Sequence, residues 1–547
     1  MKRILFFIVS ASLLLSCKKK EAPVVFKKYD ETALLKKQQE HERSRMQFKL
    51  FQPKALDMNT VFKPFENDLA YFSEADYDAL KPLIIEQNIP TLQKHVNDGK
   101  LTYEKLTLFY LYRIRKYESD STTSLNAIIA LNPNVLKQAR KRDKNRKDHS
   151  NTDISIYGMP ILLKDNINTA GMPTTAGALA LRENVTTDDA FIVKRLKENG
   201  ALILGKVNLS EWAYFFCSGC PLGYSAIGGQ SLNPYGRGKF ETGGSSASSG
   251  TAVAANYAVA AIGTETAGSI TSPSSQNSVV GLKPTIGLLS RTGIVPISST
   301  LDTPGPMTKS IIDNMILLEA MVGYDANDKK SYKVDGEPNT DFTETIVGKR
   351  FGVFPSLLQD SVYKANVEII KKAGGDIVEL APVQIGLPGF LTLLNIDMKH
   401  DLPEYLKNHT DKNVTITSVE DVINFNEKDS LLRAPYGQQL FEGIVADTTT
   451  LEQLQTIKKT LMDNARTYFK PLDSENLDAI LSINNYHAGY SAVAEYPNLT
   501  VPMGYKKSGE PISLTFIVMP KKEGELYVLG AAFENLTKHR KLPGNYE

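Results

Sequence analysis

The feature that most constrains the fold is a set of short apolar runs in which apolar and polar residues do not alternate. Two such runs cover residues 161–163 and 201–204. Between them, Phe191, Val193 and Leu196 fall on one face of a predicted helix. A strand that is apolar at every position belongs to a sheet buried on both faces, because an exposed face would carry polar residues at alternate positions. Such strands separated by helices predict an α/β fold.

Composition and length narrow the class of protein. The chain has 547 residues, of which 42% are hydrophobic and 23% are charged, as in ordinary globular proteins. No long linker interrupts residues 85–540, so we expect one large domain. The formal net charge of +2 argues against a nucleic-acid partner. No two of the seven histidines are four residues apart, so we expect no zincin-type metal site.

The N-terminus has the pattern of a secretory signal peptide. Lys2 and Arg3 precede an apolar run over residues 4–15, which is shorter than the roughly 20 residues that span a bilayer. The run ends in Leu-Leu-Ser-Cys, which resembles the bacterial lipobox and would make Cys17 the lipidated first residue of an exported, membrane-anchored lipoprotein. The alternative is a plain secretory signal in which Cys17 is incidental.

These patterns divide the chain into three predicted parts. Residues 1–16 form the signal peptide, residues 17–73 a tether with an N-terminal helical segment, and residues 74–547 the globular domain. Residues 18 to about 60 are rich in Lys, Glu and Gln, which predicts a solvated segment outside the core. Within the domain we expect further elements, namely strands at 125–132, 257–262 and 350–354 and helices at 135–147 and 246–255.

Three motifs in the centre of the chain place polar residues after predicted strands or in Gly-rich turns. Lys164 ends the strand at 161–163, Ser245 lies in the turn Gly-Gly-Ser-Ser-Ala-Ser-Ser-Gly, and Ser269 closes Gly-Thr-Glu-Thr-Ala-Gly-Ser. In this order the motifs resemble the amidase signature family, which hydrolyses carbon–nitrogen bonds with a Ser–cis-Ser–Lys triad. The resemblance covers roughly residues 85–520. Residues 208–213 and 228–235 resemble, more narrowly, its peptide-amidase branch.

The resemblance implies a role for each polar residue of the motifs. Ser269 would be the nucleophile, Ser245 the proton relay and Lys164 the base. A lysine base must be neutral, and burial beside the apolar strand would lower its pKa; no other lysine of the central motifs has such neighbours. The residues implied around the oxyanion and substrate are Ser246, Thr266, Ala267, Gly268 and the Ser269 N–H.

The resemblance also implies a fold and a reaction. The fold is a single large α/β/α domain with a mixed central sheet covered by helices on both faces. The reaction is hydrolysis of a small-molecule or peptide carboxamide to carboxylate and ammonia, without cofactor or metal. Two alternatives are a catalytically silent lipoprotein that binds a ligand and an amidotransferase-like subunit. The intact serines and lysine argue against the first, and the export signal argues against the second.

Several residues depart from the family pattern or have two interpretations. Family members usually have Gly-Gly, Asp, Gly and Arg where this chain has Ala247-Ser248, Glu265, Ala267 and Thr271. Cys217 and Cys220 are expected to form a structural disulfide or to remain free thiols in a loop. A group of aromatic residues is expected either to form a substrate slot or to pack loops onto the core: Trp212, Tyr214, Phe215, Phe216, Tyr224 and Tyr235.

Overall fold

The structure is a computed structural model that describes residues 20–146, 154–334 and 345–547. The predicted signal peptide at 1–16 and the predicted lipidation site Cys17 lie outside the described residues. Across the described ranges, no helix combines the length and the apolar composition that crossing a bilayer requires.

A mixed sheet of eleven strands forms the centre of the described chain, in the order β1-β3-β2-β6-β8-β7-β12-β13-β11-β9-β10, and β4 and β5 form a separate pair. The strands are Ile128–Leu131 (β1), Pro160–Lys164 (β2), Leu202–Val207 (β3), Tyr224–Ser225 (β4), Gly229–Gln230 (β5), Ala260–Glu265 (β6), Val280–Lys283 (β7), Thr303–Thr308 (β8), Arg350–Val353 (β9), Asp376–Glu379 (β10), Ala479–Ile483 (β11), Asn498–Tyr505 (β12) and Pro511–Ile517 (β13). Strand β2 is parallel to both β3 and β6, so these three strands end at the same edge of the sheet.

Helices surround this sheet. They are Thr32–Gln38 (α1), Met58–Phe62 (α2), Glu66–Leu69 (α3), Glu74–Ile84 (α4), Ile89–Asn97 (α5), Tyr103–Glu118 (α6), Val135–Lys144 (α7), Phe191–Glu198 (α8), Ala247–Ala254 (α9), Thr271–Gln276 (α10), Ile311–Met321 (α11), Ser361–Lys372 (α12), Phe390–His409 (α13), Val419–Glu427 (α14), Ser430–Arg433 (α15), Gln439–Ala446 (α16), Leu451–Tyr468 (α17), Pro471–Ser474 (α18), Ala488–Val493 (α19) and Glu523–Thr537 (α20).

The central strands are covered on both faces, as the apolar runs predict. Every residue of β2, β3, β6 and β13 is buried. Successive side chains of a strand point to opposite faces, so burial at every position requires a cover on each face. The predicted α/β class, with a mixed sheet between helices, is confirmed.

Helices α9 and α10, which follow the turns of Ser245 and Ser269, pack closely against each other. A Cβ atom added at Gly250 would lie 2.8 Å from the Pro273 carbonyl oxygen and 3.0 Å from Asn277 Nδ2. Only glycine at this position therefore allows the two helices to approach so closely. This contact holds the turn before α9, which carries Ser245, against the turn before α10, which carries Ser269.

The N-terminal segment is part of the core, which corrects the prediction of a solvated tether. Its buried residues, each at most 6% exposed, include Met46, Phe48, Phe51, Phe62 and Phe65. The segment is ordered from Glu21 onward, whose N–H donates to the Ala70 carbonyl at 2.8 Å, and its Phe51 carbonyl accepts from the Gln230 N–H of the domain at 2.9 Å. Sequence periodicity missed this packing because short helices and turns place these apolar residues without a regular spacing.

The strand predicted at 125–132 is limited to Ile128–Leu131, the strand predicted at 257–262 starts late, and one further strand was missed. The strand predicted at 257–262 begins at Ala260, because Asn256 adopts φ 54° and the Tyr257 N–H donates back to the Ala252 carbonyl at 2.8 Å. Residues 257–259 therefore close the end of α9. Strand β10 at Asp376–Glu379 was not predicted; it lies at the edge of the sheet, and its partial burial leaves no apolar run.

Candidate active site

Lys164 is the last residue of β2 and is completely buried. Its Nζ donates to Ser245 Oγ at 2.8 Å, to Thr264 Oγ1 at 2.8 Å and to the Thr264 carbonyl at 3.2 Å. Burial lowers the pKa of Lys164 to about 7, although the carboxylates of Asp302 and Glu265 act in the opposite direction. A large fraction of Lys164 is therefore neutral near pH 7, as a lysine base requires.

Other buried lysines show why this environment is distinctive. Lys206 and Lys283, which lie outside the three central motifs, are also fully buried. Lys206, however, pairs with the Asp165 carboxylate at 3.4 Å and donates to the Ile167 carbonyl at 2.6 Å. In the described ranges Lys164 forms no ion pair and instead contacts hydroxyl and carbonyl oxygens, which leaves it free to exchange a proton with a serine.

The Gly-Ser turn brings Ser245 to the lysine. The peptide bond between Gly244 and Ser245 is cis, and Ser245 is 1% exposed. The Ser245 carbonyl accepts a hydrogen bond from the Ser210 N–H at 3.0 Å. The hydroxyl of Ser245 thus lies inside the protein in contact with Lys164.

Ser246 links the two serine-bearing turns of the site. Its Oγ donates to the Thr264 carbonyl at 3.0 Å and accepts from the Thr264 N–H at 3.1 Å, and the residue is completely buried. Its N–H donates to the Ser269 carbonyl at 3.1 Å. The hydroxyl of Ser246 thus joins the two turns to β6, and its place among the oxyanion and substrate residues stays a prediction.

The turn that ends in Ser269 opens toward solvent. Ala267 and Ser269 are partly exposed, whereas Thr266 and Gly268 are buried. Gly268 has φ +96°, a left-handed value that favours glycine. Thr266 Oγ1 donates to Asp302 Oδ1 at 2.5 Å, so its hydroxyl holds the turn while its backbone belongs to the predicted oxyanion set.

The Glu265 carboxylate stabilises the turn that carries Ser269 by accepting hydrogen bonds. Its Oε2 accepts from the N–H groups of Ile270 at 2.7 Å and Thr271 at 2.8 Å, and from Thr271 Oγ1 at 2.9 Å. Glu265 and Thr271 are two of the residues that depart from the family pattern. Because they bond to each other, the two departures form one altered contact beneath the nucleophile turn.

Three residues of the site were not singled out from the sequence: Asn166, Thr264 and Asp302. Asn166 Nδ2 donates to Thr264 Oγ1 at 3.0 Å, and Asp302 Oδ2 accepts from the Ile297 N–H at 2.8 Å. Burial raises the pKa of Asp302. Asn166, Thr266 and Asp302 line one cavity. All three missed residues lie in segments that match the family, but only tertiary contacts reveal their function.

The aromatic residues expected near the site mainly pack the protein. Trp212 and Phe216 are buried against Phe441, with ring centroids 5.4 and 5.1 Å away. Phe215 is buried, Tyr224 packs on Tyr436, and the hydroxyls of Tyr214 and Tyr235 donate to backbone carbonyls. The packing interpretation is therefore the one that the structure supports. A disulfide joins Cys217 to Cys220 in the adjoining loop.

Comparison with known proteins agrees with this arrangement. The Amidase family model matches residues 105–482. A probable amidase of Arabidopsis thaliana is 35% identical over 84% of this chain and 92% of its own length. An amidase family protein of Bacillus anthracis is 39% identical, with a TM-score of 0.85, over 90% of this chain and 99% of that one. The peptide amidase of Stenotrophomonas maltophilia is 36% identical, with a TM-score of 0.77, over 84% of this chain and 98% of that one.

The fold and the buried Lys–Ser pair define a hydrolytic amidase. The chain belongs to the amidase family, and its structural neighbours include a peptide amidase.

Proposed function

We propose that this chain is an exported, lipid-anchored amidase that releases ammonia from C-terminal peptide amides or bulky amino-acid amides through Ser269. The observation that carries the proposal is the buried 2.8 Å contact between Lys164 and Ser245. The adjacent Ser246 N–H donates to the carbonyl of the partly exposed Ser269 at 3.1 Å, which brings the nucleophile turn to this pair. Amide hydrolysis needs a nucleophile, a base and donors for the oxyanion, and the proposal assigns these roles to Ser269, Lys164 and the N–H groups of residues 266–269.

The hydrogen bonds of Lys164 fit a neutral amine acting as the base. A neutral amine has two N–H groups and one lone pair. Thr264 offers two acceptors, its Oγ1 and its carbonyl, which can take both N–H groups. The lone pair then faces Ser245 Oγ and can accept its proton.

The reaction then follows from proton transfer along this chain. Ser269 Oγ attacks the amide carbon while its proton passes to Ser245, whose own proton passes to Lys164. The electron pair of the carbonyl moves onto oxygen, where the N–H groups of residues 266–269 would stabilise it. Lys164 returns the proton through Ser245 to the leaving nitrogen, and ammonia departs. Water then hydrolyses the acyl-Ser269 ester, giving the carboxylate and the free enzyme.

A different surface replaces the predicted aromatic slot as the candidate substrate pocket. Segment 485–489 contacts the nucleophile turn, because a Cβ atom at Gly268 would lie 3.3 Å from the Ala488 Cβ. In this segment Tyr486 is 61% exposed, and a Cβ atom at Gly489 would lie 3.4 Å from Leu387 Cδ1. Exposed apolar side chains beside a catalytic turn can receive an apolar substrate side chain. They support the choice of bulky amides over acetamide.

Export and anchoring depend on the N-terminal pattern. The apolar run at 4–15 and the lipobox-like residues before Cys17 support a lipoprotein. A bacterial lipoprotein terminus carries more than one acyl chain, which stable anchoring requires. Export also argues against the amidotransferase alternative, whose partners are cytosolic.

The test measures ammonia release from acetamide, propionamide, amino-acid amides and amidated peptides by wild type and Ser269→Ala. Ser508→Ala is the control, because Ser508 is exposed in the turn between β12 and β13. We expect hydrolysis of bulky amides that Ser269→Ala abolishes and Ser508→Ala retains. Full activity of Ser269→Ala would refute the nucleophile, and a preference for acetamide would refute the substrate class. Binding of an amide without any turnover by wild type would favour the silent lipoprotein.

A further inference from the structure

Asn485 lies beside the nucleophile turn without a role in the triad. It follows β11, two residues after Ile483. A Cβ atom at Gly268 would lie 3.0 Å from Asn485 Nδ2, closer than any other atom. Gly268 immediately precedes Ser269, so the Asn485 carboxamide borders the space where a bound amide must sit.

The turn that presents Asn485 is fixed on both sides. Asn484 adopts φ 47°, and its N–H donates to the Ser513 carbonyl at 3.0 Å. Asn484 Oδ1 accepts from the Ser513 N–H at 2.9 Å, and its carbonyl accepts from Thr515 Oγ1 at 2.5 Å. On the other side, Ser482 Oγ and His487 Nδ1 share a hydrogen bond of 2.6 Å. Hydrogen bonds on both sides therefore fix the turn that carries Asn485.

The carboxamide of Asn485 is available to bind a ligand. Within ranges 20–146, 154–334 and 345–547, its carboxamide makes no hydrogen bond, whereas Asn484 next to it bonds to Ser513 and Thr515. The residue is half-buried, so its amide is neither free in bulk water nor satisfied by the protein. A partly desolvated donor on a fixed support is suited to a developing negative charge.

We propose that Asn485 Nδ2 donates a hydrogen bond to the carbonyl oxygen of the bound amide, beside the N–H groups of residues 266–269. The inference rests on the proposed function of Ser269. As the bond from Ser269 Oγ to the amide carbon forms, the carbonyl pair moves onto oxygen, and the donor interacts more strongly with the oxyanion than with the neutral carbonyl. Asn485 keeps its own proton throughout.

The test compares the steady-state kinetics of Asn485→Ala and Asn485→Asp with those of wild type on one amidated peptide. Asn485→Asp keeps the shape but replaces the donor by an acceptor. Loss of one side-chain oxyanion donor lowers kcat by about 100- to 1,000-fold, and KM should change little because the contact strengthens in the transition state. Asn67→Ala is the control, since Asn67 is exposed on α3.

The outcomes distinguish a failure of the Asn485 inference from a failure of the proposed amidase function. A fall in kcat for both variants, with folding unchanged by circular dichroism, supports the role of Asn485. Unchanged kcat, or a rise in KM alone, would overturn it. If Asn485→Ala does not fold, Asn485→Asp decides. Inactive Ser269→Ala beside fully active Asn485→Ala refutes only this inference, whereas active Ser269→Ala refutes the proposed function itself.

Discussion

Replacing Lys164 by methionine should abolish activity and yet stabilise the protein at low pH. The pKa of Lys164 is about 7 in the fold, against 10.5 for an exposed lysine. By linkage, this difference corresponds to a free-energy cost of about 5 kcal/mol when the lysine is protonated in both states. Methionine is apolar and of similar length, so it removes that cost. It also leaves the partners of three hydrogen bonds without a donor, which costs about 1 kcal/mol each.

The dependence on pH gives this prediction its sign. Below pH 7 both the folded and the unfolded lysine are protonated, so wild type bears the full cost. Between pH 7 and pH 10.5 the unfolded state binds more protons, and the stability of wild type therefore rises with pH. Lys164→Met lacks this titration. Its advantage over wild type is therefore largest below pH 7 and declines by about 5 kcal/mol as pH approaches 10.5.

Urea unfolding of both proteins at pH 6, 8 and 9.5 measures this change. We expect Lys164→Met to be more stable than wild type at pH 6 by about 1–3 kcal/mol and less stable at pH 9.5. The Lys206→Met variant is the comparison, because it removes a lysine that is paired with a carboxylate and leaves Asp165 unpaired, so it should be destabilised at each pH. A difference between Lys164→Met and wild type that does not vary with pH would refute a depressed lysine pKa.

Four further predictions concern the site and the N-terminus. Ser269→Ala and Lys164→Ala should each lower kcat for ammonia release by at least about 1,000-fold, and the double variant should be little worse. Additive losses would show that the two residues do not act as a unit. The value of kcat/KM should fall as the pH drops below about 7, because the lysine base becomes protonated. The His487→Gln variant should show the same fall, because burial lowers the pKa of His487 to about 4. Loss of this acidic fall in the variant would implicate the histidine. Glu265→Gln should destabilise the protein by about 1–3 kcal/mol in urea unfolding, because the N–H groups after the nucleophile lose a charged acceptor. Cys17→Ala should abolish lipidation detected by mass spectrometry, and an unmodified Cys17 in mature wild type would contradict the anchor.

The sequence predicts best what depends on local pattern. Strand β2 and the position of Lys164 at its end follow from an apolar run that a charged residue stops. The covering of both sheet faces follows from the same runs. Ser245 and Ser269 were found because the Gly- and Ser-containing turns that carry them resemble motifs of the amidase signature family.

Contacts between distant segments were not predictable in this way. Asp302 reaches Thr266 across 36 positions, and Asn485 approaches Gly268 from the turn after β11, more than 200 residues later. No spacing in the chain encodes these approaches, because they depend on the order of strands in the sheet. Trp212 was ambiguous for a related reason: an aromatic residue in a loop has the same sequence pattern whether it lines a pocket or packs on Phe441.

The ordered N-terminal segment limits how far the folded protein could lie from a lipid on Cys17. The Glu21 N–H is bonded to the Ala70 carbonyl, the Phe26 N–H to Asn59 and the Tyr29 N–H to Gln52. Three residues separate Cys17 from Glu21, and an extended chain spans about 3.5 Å per residue. A lipid on Cys17 would therefore hold the catalytic body within about 15 Å of the bilayer surface. Such an enzyme would sample amides along the membrane plane, at a fixed height, and not throughout the surrounding volume.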